Sequence, residues 1–374
     1  MVRLPVVASL VLLLNVAPSW GQPVCAAPGC NPTVSDANGN TAGGTSALSS
    51  AGAGGARNTA FGRSALQSTT TGGANVAIGF NALFSNTTGE DNVATGNAAL
   101  TANTTGFGNI ASGTGALGRN TTGSDNIAFG SKTLTANTIG HDNVASGSGA
   151  LGRNTTGNFN IATGTNALVS NTTGANNIAS GFGALELNTV GVKNVAIGSD
   201  ALHASTGSRN IALGFQAGFA LTSGNNNVYI AHDGVSTESL TIRLGSVQTR
   251  TFIAGINGAS VNGATVMIDT TTGQLGIATS SARYKQDVVP MGNRSEKVLD
   301  LRPVIFSYKD DARAVTHYGL IAEEVEAVYP DLVTRTASGE VQTVKYQELI
   351  PMLLNELQRQ RQESSRLSRA SRES

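Results

Sequence analysis

Residues 75–91 read N-V-A-I-G-F-N-A-L-F-S-N-T-T-G-E-D, and residues 92–108 read N-V-A-T-G-N-A-A-L-T-A-N-T-T-G-F-G. Both follow one pattern, N-[VI]-A-x-G-x-x-A-L-x-x-N-T-T-G-x-x. Repeats start at Asn58, Asn75, Asn92, Asn109, Asn126, Asn143, Asn160, Asn177 and Asn194. Asn210 follows one residue early, Asn227 opens a degenerate repeat, and a worn one lies around Asn40 to Leu48. A fixed 17-residue period means a stacked repeat architecture, and it is too short for a helical hairpin. N-V-A-I-G is β-branched and ends in Gly, which suits a short strand. A-L with its flanks is the second strand candidate. N-T-T-G is a turn, because Asn and Gly tolerate positive φ. Each repeat is then one coil of a parallel β-roll or β-solenoid.

The expected core is thin. A coil buries one Val or Ile, one Leu and two Ala, too little by itself to offset its ordering entropy. Coils stacked about 4.8 Å apart share ladder hydrogen bonds and one continuous core. This thinness points to a homotrimer that buries a second face. N-T-T also matches the glycosylation acceptor pattern at Asn86, Asn103, Asn120, Asn154 and Asn171. The same Asn recurs in register, so a structural turn explains it better.

Composition agrees with a fibre. Of 374 residues 46 are Gly, and only 13% are charged, against about 25% in an ordinary domain. The 24 basic and 24 acidic residues balance, which argues against nucleic-acid binding. Residues 280–374 hold 14 of each sign. A charge-poor body therefore precedes a charge-rich tail piece. Four His and two Cys give no Cys/His-rich metal site, and no cofactor motif is present.

Residues 1–21 read as a signal peptide: Arg3, an apolar stretch from Leu4 to Val16, and small Ser19 and Gly21 before the cut. The mature chain then carries no membrane span and is secreted or on a cell surface. Residues 22–57 hold Cys25 and Cys30, candidates for a disulfide within or between chains. The repeat array occupies residues 58–232. Residues 233–279 alternate apolar and polar in short runs and read as a β stalk or collar. Residues 280–374 read as a small α+β domain. Strands are expected at 304–309 and 341–346, a helix over 318–329 ended by Pro330, and a final helix from about Gln347 with Pro351 in its first turn. The polar chain after Gln358 is expected to fray.

Two resemblances sharpen this reading. The N-[VI]-A-x-G-x-x-A pattern over residues 40–232 resembles the head repeats of YadA-type trimeric adhesins, although those are shorter and precede a membrane barrel absent here. In the tail piece, S-S-A-R-Y-K-Q-D-V, L-D-L-R-P-V-I-F-S-Y-K, Y-G-L-I-A-E-E-V and V-K-Y-Q-E-L-I-P-M-L-L follow in order. Together they resemble the C-terminal intramolecular chaperone domain of endosialidases and other phage tail spikes. That resemblance implies a domain that trimerises, drives folding of the fibre before it, and then cuts itself off through a Ser–Lys dyad. It places the dyad at Ser280 and Lys285, and the cut between Ser280 and Ser281. Ser281 stands where that family often has Asp. Gly319 matches a position near the family's site and is a candidate oxyanion donor, with His317 a candidate supporting residue.

The reading is thus an exported, adhesin-like trimeric fibre with a single-turnover serine endopeptidase at its C-terminus. Alternatives are a phage or prophage tail fibre, or a ligand- or ice-binding solenoid, its Thr ladders the functional surface, with an uncleaved trimerisation cap. Partners are other copies of the chain, and a cell-surface or carbohydrate ligand.

Overall fold

The computed structural model describes residues 34–50, 55–253, 265–269, 272–277, 279–309, 314–336 and 338–373. The expected signal peptide, residues 1–21, and both cysteines, Cys25 and Cys30, lie outside the described residues. The chain divides into two compact units that meet between Thr251 and Phe252.

The first unit is a parallel β-solenoid. Strand β1 (Val34–Ser35) pairs antiparallel with β2 (Thr41–Gly43), and twelve further three-residue strands stack parallel, one per coil, ending at β14 (Ile242–Leu244). Register follows the repeat: Ala77 faces Ala94, which faces Ala111. The sheet continues past residue 232, since Ile242–Leu244 pairs with Val228–Ile230.

The second expected strand is instead a turn. Asn81, Leu83 and Asp91 have φ of 55°, 51° and 56°, and the matching residues of other coils share this left-handed backbone. Such residues cannot continue a strand and cost on the order of 1–2 kcal/mol each. The turn still carries a ladder, because Leu83 N–H donates to the Ala99 carbonyl at 3.0 Å in the next coil. The strand-ending glycines are required by close approach. A Cβ on Gly96 (φ 131°) would lie 2.7 Å from the Gly113 carbonyl oxygen.

The core also differs from expectation in one place. Each regular coil buries two alanines and a leucine, for example Ala77, Ala82 and Leu83. The Val or Ile of the strand faces outward instead, because the buried Ala between its two neighbours takes the inward position. In the coils that start at Asn75 through Asn177, two asparagines each fill the remaining interior. Asn92 donates its backbone N–H and Nδ2 to Asn75 Oδ1 at 3.0 and 3.1 Å, and Nδ2 also to the Gly106 carbonyl at 2.9 Å. The N-T-T asparagines form a second ladder: Asn120 Nδ2 donates to Asn103 Oδ1 and to the Gly123 carbonyl. Asn86, Asn103, Asn120, Asn154 and Asn171 are all fully buried, so the folded coil leaves no acceptor amide for a sugar.

Both ends of the array are closed. At the start, Asp36 stands in for a preceding Asn and accepts the Asn40 backbone N–H and Nδ2 at 2.8 and 3.0 Å. At the far end the inward column runs Ala212, Tyr229, Arg243. The buried Tyr229 ring covers the alanine column, and Arg243 binds Glu238 through Nε and Nη2 at 2.7–2.9 Å. Burial pushes the Tyr229 phenol well above its ordinary range.

In the second unit, β15 (Val266–Ile268) and β16 (Leu275–Ile277) form an antiparallel hairpin. Strand β17 (Val304–Phe306) pairs antiparallel with β18 (His317–Gly319), and helix α1 (Ala322–Val328) follows. The expected helix over 318–329 therefore starts late, because its first residues pair as a strand. Strands β19 (Val333–Arg335) and β20 (Val341–Val344) pair antiparallel, and α2 spans Tyr346–Glu373. Helix α2 begins one residue earlier than expected and stays helical past Gln358. Its late turns carry Ser365 and Ser368, which bond back to the Arg361 and Ser364 carbonyls. A small core joins Val298, Val325, Leu332, Val333, Val344 and Leu349. No helix among the described residues is long and apolar enough to cross a membrane.

Candidate catalytic dyad

Ser280 and Lys285 are brought together by a 3-10 turn over Ala282–Tyr284. Tyr284 N–H donates to the Ser281 carbonyl at 3.0 Å, and Lys285 N–H to the Ala282 carbonyl at 3.2 Å. This tight turn folds five residues back on themselves. Lys285 Nζ lies 3.2 Å from Ser280 Oγ. The Arg283 guanidinium sits 4.7 Å over the Tyr284 ring beside the pair.

Every residue from Thr279 to Pro290 is exposed in the single chain, including Tyr284, Val288 and Val289. An exposed ammonium donates to Ser280 and cannot also take its proton. Base chemistry needs the neutral amine, which burial or a neighbouring positive charge favours. The geometry of a Ser–Lys pair is present, and among the described residues of this unit none supplies the desolvation it needs.

Immediately downstream the chain is firmly held. Residues Gly292–Asp300 form a 3-10 helix with Ser295 and Val298 buried. Asn355 Nδ2 on α2 donates to the Gly292 carbonyl at 2.8 Å and to Ser295 Oγ at 2.6 Å. Tyr329 Oη donates to the Arg294 carbonyl at 3.0 Å. Burial pushes the Tyr329 phenol up. The dyad segment thus leads directly into an element clamped to the long helix.

The two supporting candidates lie elsewhere on β18. His317 stacks on Phe306 at 5.6 Å and meets Tyr308 edge-on at 5.0 Å. Gly319 lies under Tyr346, whose hydroxyl accepts the Leu320 N–H at 2.9 Å. No hydrogen bond joins His317 or Gly319 to Ser280 or Lys285 among the described residues. Sequence reading overlooked Tyr346, Ser295 and Asn355. Their only signal was position, Tyr346 at the end of the expected strand 341–346 and Asn355 on the helix face beside Met352 and Glu356. The Glu323–Glu324–Glu326 face makes ion pairs, Glu324 with Arg302 and Glu326 with Arg335. In the array, the Thr87 hydroxyl donates to the Thr104 carbonyl at 3.0 Å, and this bond recurs along the ladder, so these hydroxyls tie coils together.

Residues 280–334 match the family model described as the chaperone of endosialidase. The match begins at Ser280 itself and supports a C-terminal chaperone domain of that type. No curated protein and no solved structure matches the chain.

Proposed function

We propose that this chain is an exported, adhesin-like fibre whose C-terminal domain gathers three copies, promotes their folding, and then cleaves itself off. The observation that carries the reading is the contact between Lys285 Nζ and Ser280 Oγ at the first residues of the chaperone match. Residues 1–21 and the repeat array support export and a fibre.

Assembly buries the exposed 279–290 segment and shifts Lys285 toward its neutral amine. Lys285 then takes the Ser280 hydroxyl proton, and Oγ attacks a carbonyl carbon. Attack on its own carbonyl would close a four-membered ring, so the target is the Ser280 carbonyl of a neighbouring copy. The bond from that carbonyl carbon to the Ser281 nitrogen breaks. Lys285 returns its proton to the Ser281 amine, and water hydrolyses the ester to free Ser280 Oγ and a Ser280 carboxylate. The protease would in this way report correct assembly.

Intact mass of the purified protein beside Ser280→Ala and Lys285→Ala variants tests this. Fragments ending and starting near residues 280 and 281, in wild type alone, are the expected result. Full-length wild-type trimers would overturn self-cleavage and leave a permanent trimerisation cap.

A further inference from the structure

The surface that follows each strand is small and polar through the middle of the array. In the coils that start at Asn92 through Asn160, the sixth residue is always Asn, Ser or Thr. The coils that start at Asn177, Asn194 and Asn210 break this run. Their sixth residues are Phe182, Ser199 and Phe215, and their tenth are Glu186, His203 and Phe219. Phe182, Phe215 and Phe219 are 55%, 70% and 41% exposed. Gly183 and Asp200 hold the seventh position, between those two columns.

These residues gather around a notch over Gly183. Its backbone is left-handed (φ 62°), and a Cβ there would lie 2.6 Å from Asp200 Oδ1, 3.1 Å from Glu186 Oε2 and 3.7 Å from His203 Cδ2. Two carboxylates from neighbouring coils therefore converge on one bare stretch of backbone. Glu186 Oε2 lies 3.6 Å from His203 Nε2, and the His203 ring packs on Phe219 at 5.5 Å. Asp200 Oδ2 accepts from Ser199 Oγ at 3.4 Å. No Lys or Arg among the described residues pairs with either carboxylate. The notch is acidic, bare at its floor and edged by exposed apolar rings.

We infer that this notch binds a quaternary ammonium group of the choline type. Glu186 and Asp200 supply the counter-charge, so the ligand is a cation. The rings select its kind. A phenyl face attracts a cation but accepts no strong hydrogen bond, so it suits a methylated ammonium better than a compact, strongly hydrated one. The floor at Gly183, which lacks a side chain, leaves room for the methyl groups. The inference uses the solenoid alone, so it stands whether or not the tail piece cleaves itself.

The test is saturation-transfer NMR on the full chain, with free choline as the probe. Transfer to the choline N-methyl protons is the expected result, and tetramethylammonium should displace choline at much lower concentration than ammonium does. Phe182→Ser with Phe215→Ser gives both positions the residue that Ser199 holds in the coil between, so the coils keep their fold and their circular dichroism. This variant should weaken choline about ten-fold, at about three-fold per ring. Glu186→Gln with Asp200→Asn, which keeps size and removes charge, should weaken it at least as much. No transfer, transfer unchanged by the loss of both rings, or equal competition by ammonium overturns the inference. Phosphatidylcholine vesicles separate the two sources of the group. Co-sedimentation that the ring variant loses assigns a membrane headgroup, and choline binding without co-sedimentation assigns the free molecule.

Discussion

The Tyr229 ring occupies the space that a side chain on Gly218 would need: a Cβ there would lie 2.9 Å from Tyr229 Cδ2. Gly218 holds the position where the preceding coils carry a buried Leu, such as Leu202. The exchange of Leu for Gly in one coil and of Ala for Tyr in the next is a matched pair that ends the regular core. Gly218→Leu restores the repeat but collides with Tyr229 and Leu202 at a left-handed position (φ 67°). Overpacking of this kind costs about 1–3 kcal/mol. Hydrogen exchange should show faster opening of residues 227–244 in this variant, and unchanged protection in the coils near Asn109.

The same cap predicts a pH effect. Burial raises the Glu238 carboxyl, but hydrogen bonding and charge from Arg243 outweigh it, and the group titrates below its ordinary 4.5. A depressed folded value contributes stability that is present above the ordinary value and lost as pH falls through the folded one. Exchange of residues 227–244 should therefore accelerate on acidification below about pH 4.5, relative to mid-array coils. Glu238→Gln should remove most of that difference.

The asparagine ladders predict a large, local penalty. Asn143 Nδ2 donates to Asn126 Oδ1, the His141 carbonyl and the Gly157 carbonyl, and its Oδ1 accepts from Asn160. Asn143→Ala leaves several buried partners unpaired at about 1–3 kcal/mol each. Limited proteolysis should find a new cut near this coil. Thr156→Ala, at an exposed corner, should leave the digest unchanged.

Gly319 and Tyr346 predict a coupled pair. A Cβ on Gly319 would lie 2.7 Å from the Tyr346 hydroxyl oxygen. Gly319→Ala should lower the melting temperature of the tail piece. Tyr346→Phe alone should destabilise by about 1 kcal/mol, since Leu320 N–H loses its acceptor. The double variant should be more stable than the sum of the single effects, measured as a double-mutant cycle. Cleavage that returns in the double variant would make Gly319 a positioning residue. Cleavage lost in Gly319→Ala and not restored would support its backbone as an oxyanion donor.

The sequence by itself determined the solenoid, its coil length and its register. A 17-residue period admits few stacked solutions, and Ala at one fixed position can only line a shared core. It also placed Ser280 and Lys285 within one turn's reach. What it left open was which way each side chain faces. Val76 and Ala77 are both apolar, and only the tertiary structure decides that the smaller one turns inward, because two asparagine ladders already fill a narrow coil. The left-handed Leu83 was equally hidden, since its backbone is held by the next coil's Ala99 carbonyl and not by any local propensity. Tyr229 and Gly218 lie eleven residues apart and read separately as two faults in the repeat. Stacking makes them one contact. The Ser295–Asn355 clamp spans sixty residues, and such pairings are decided by packing alone.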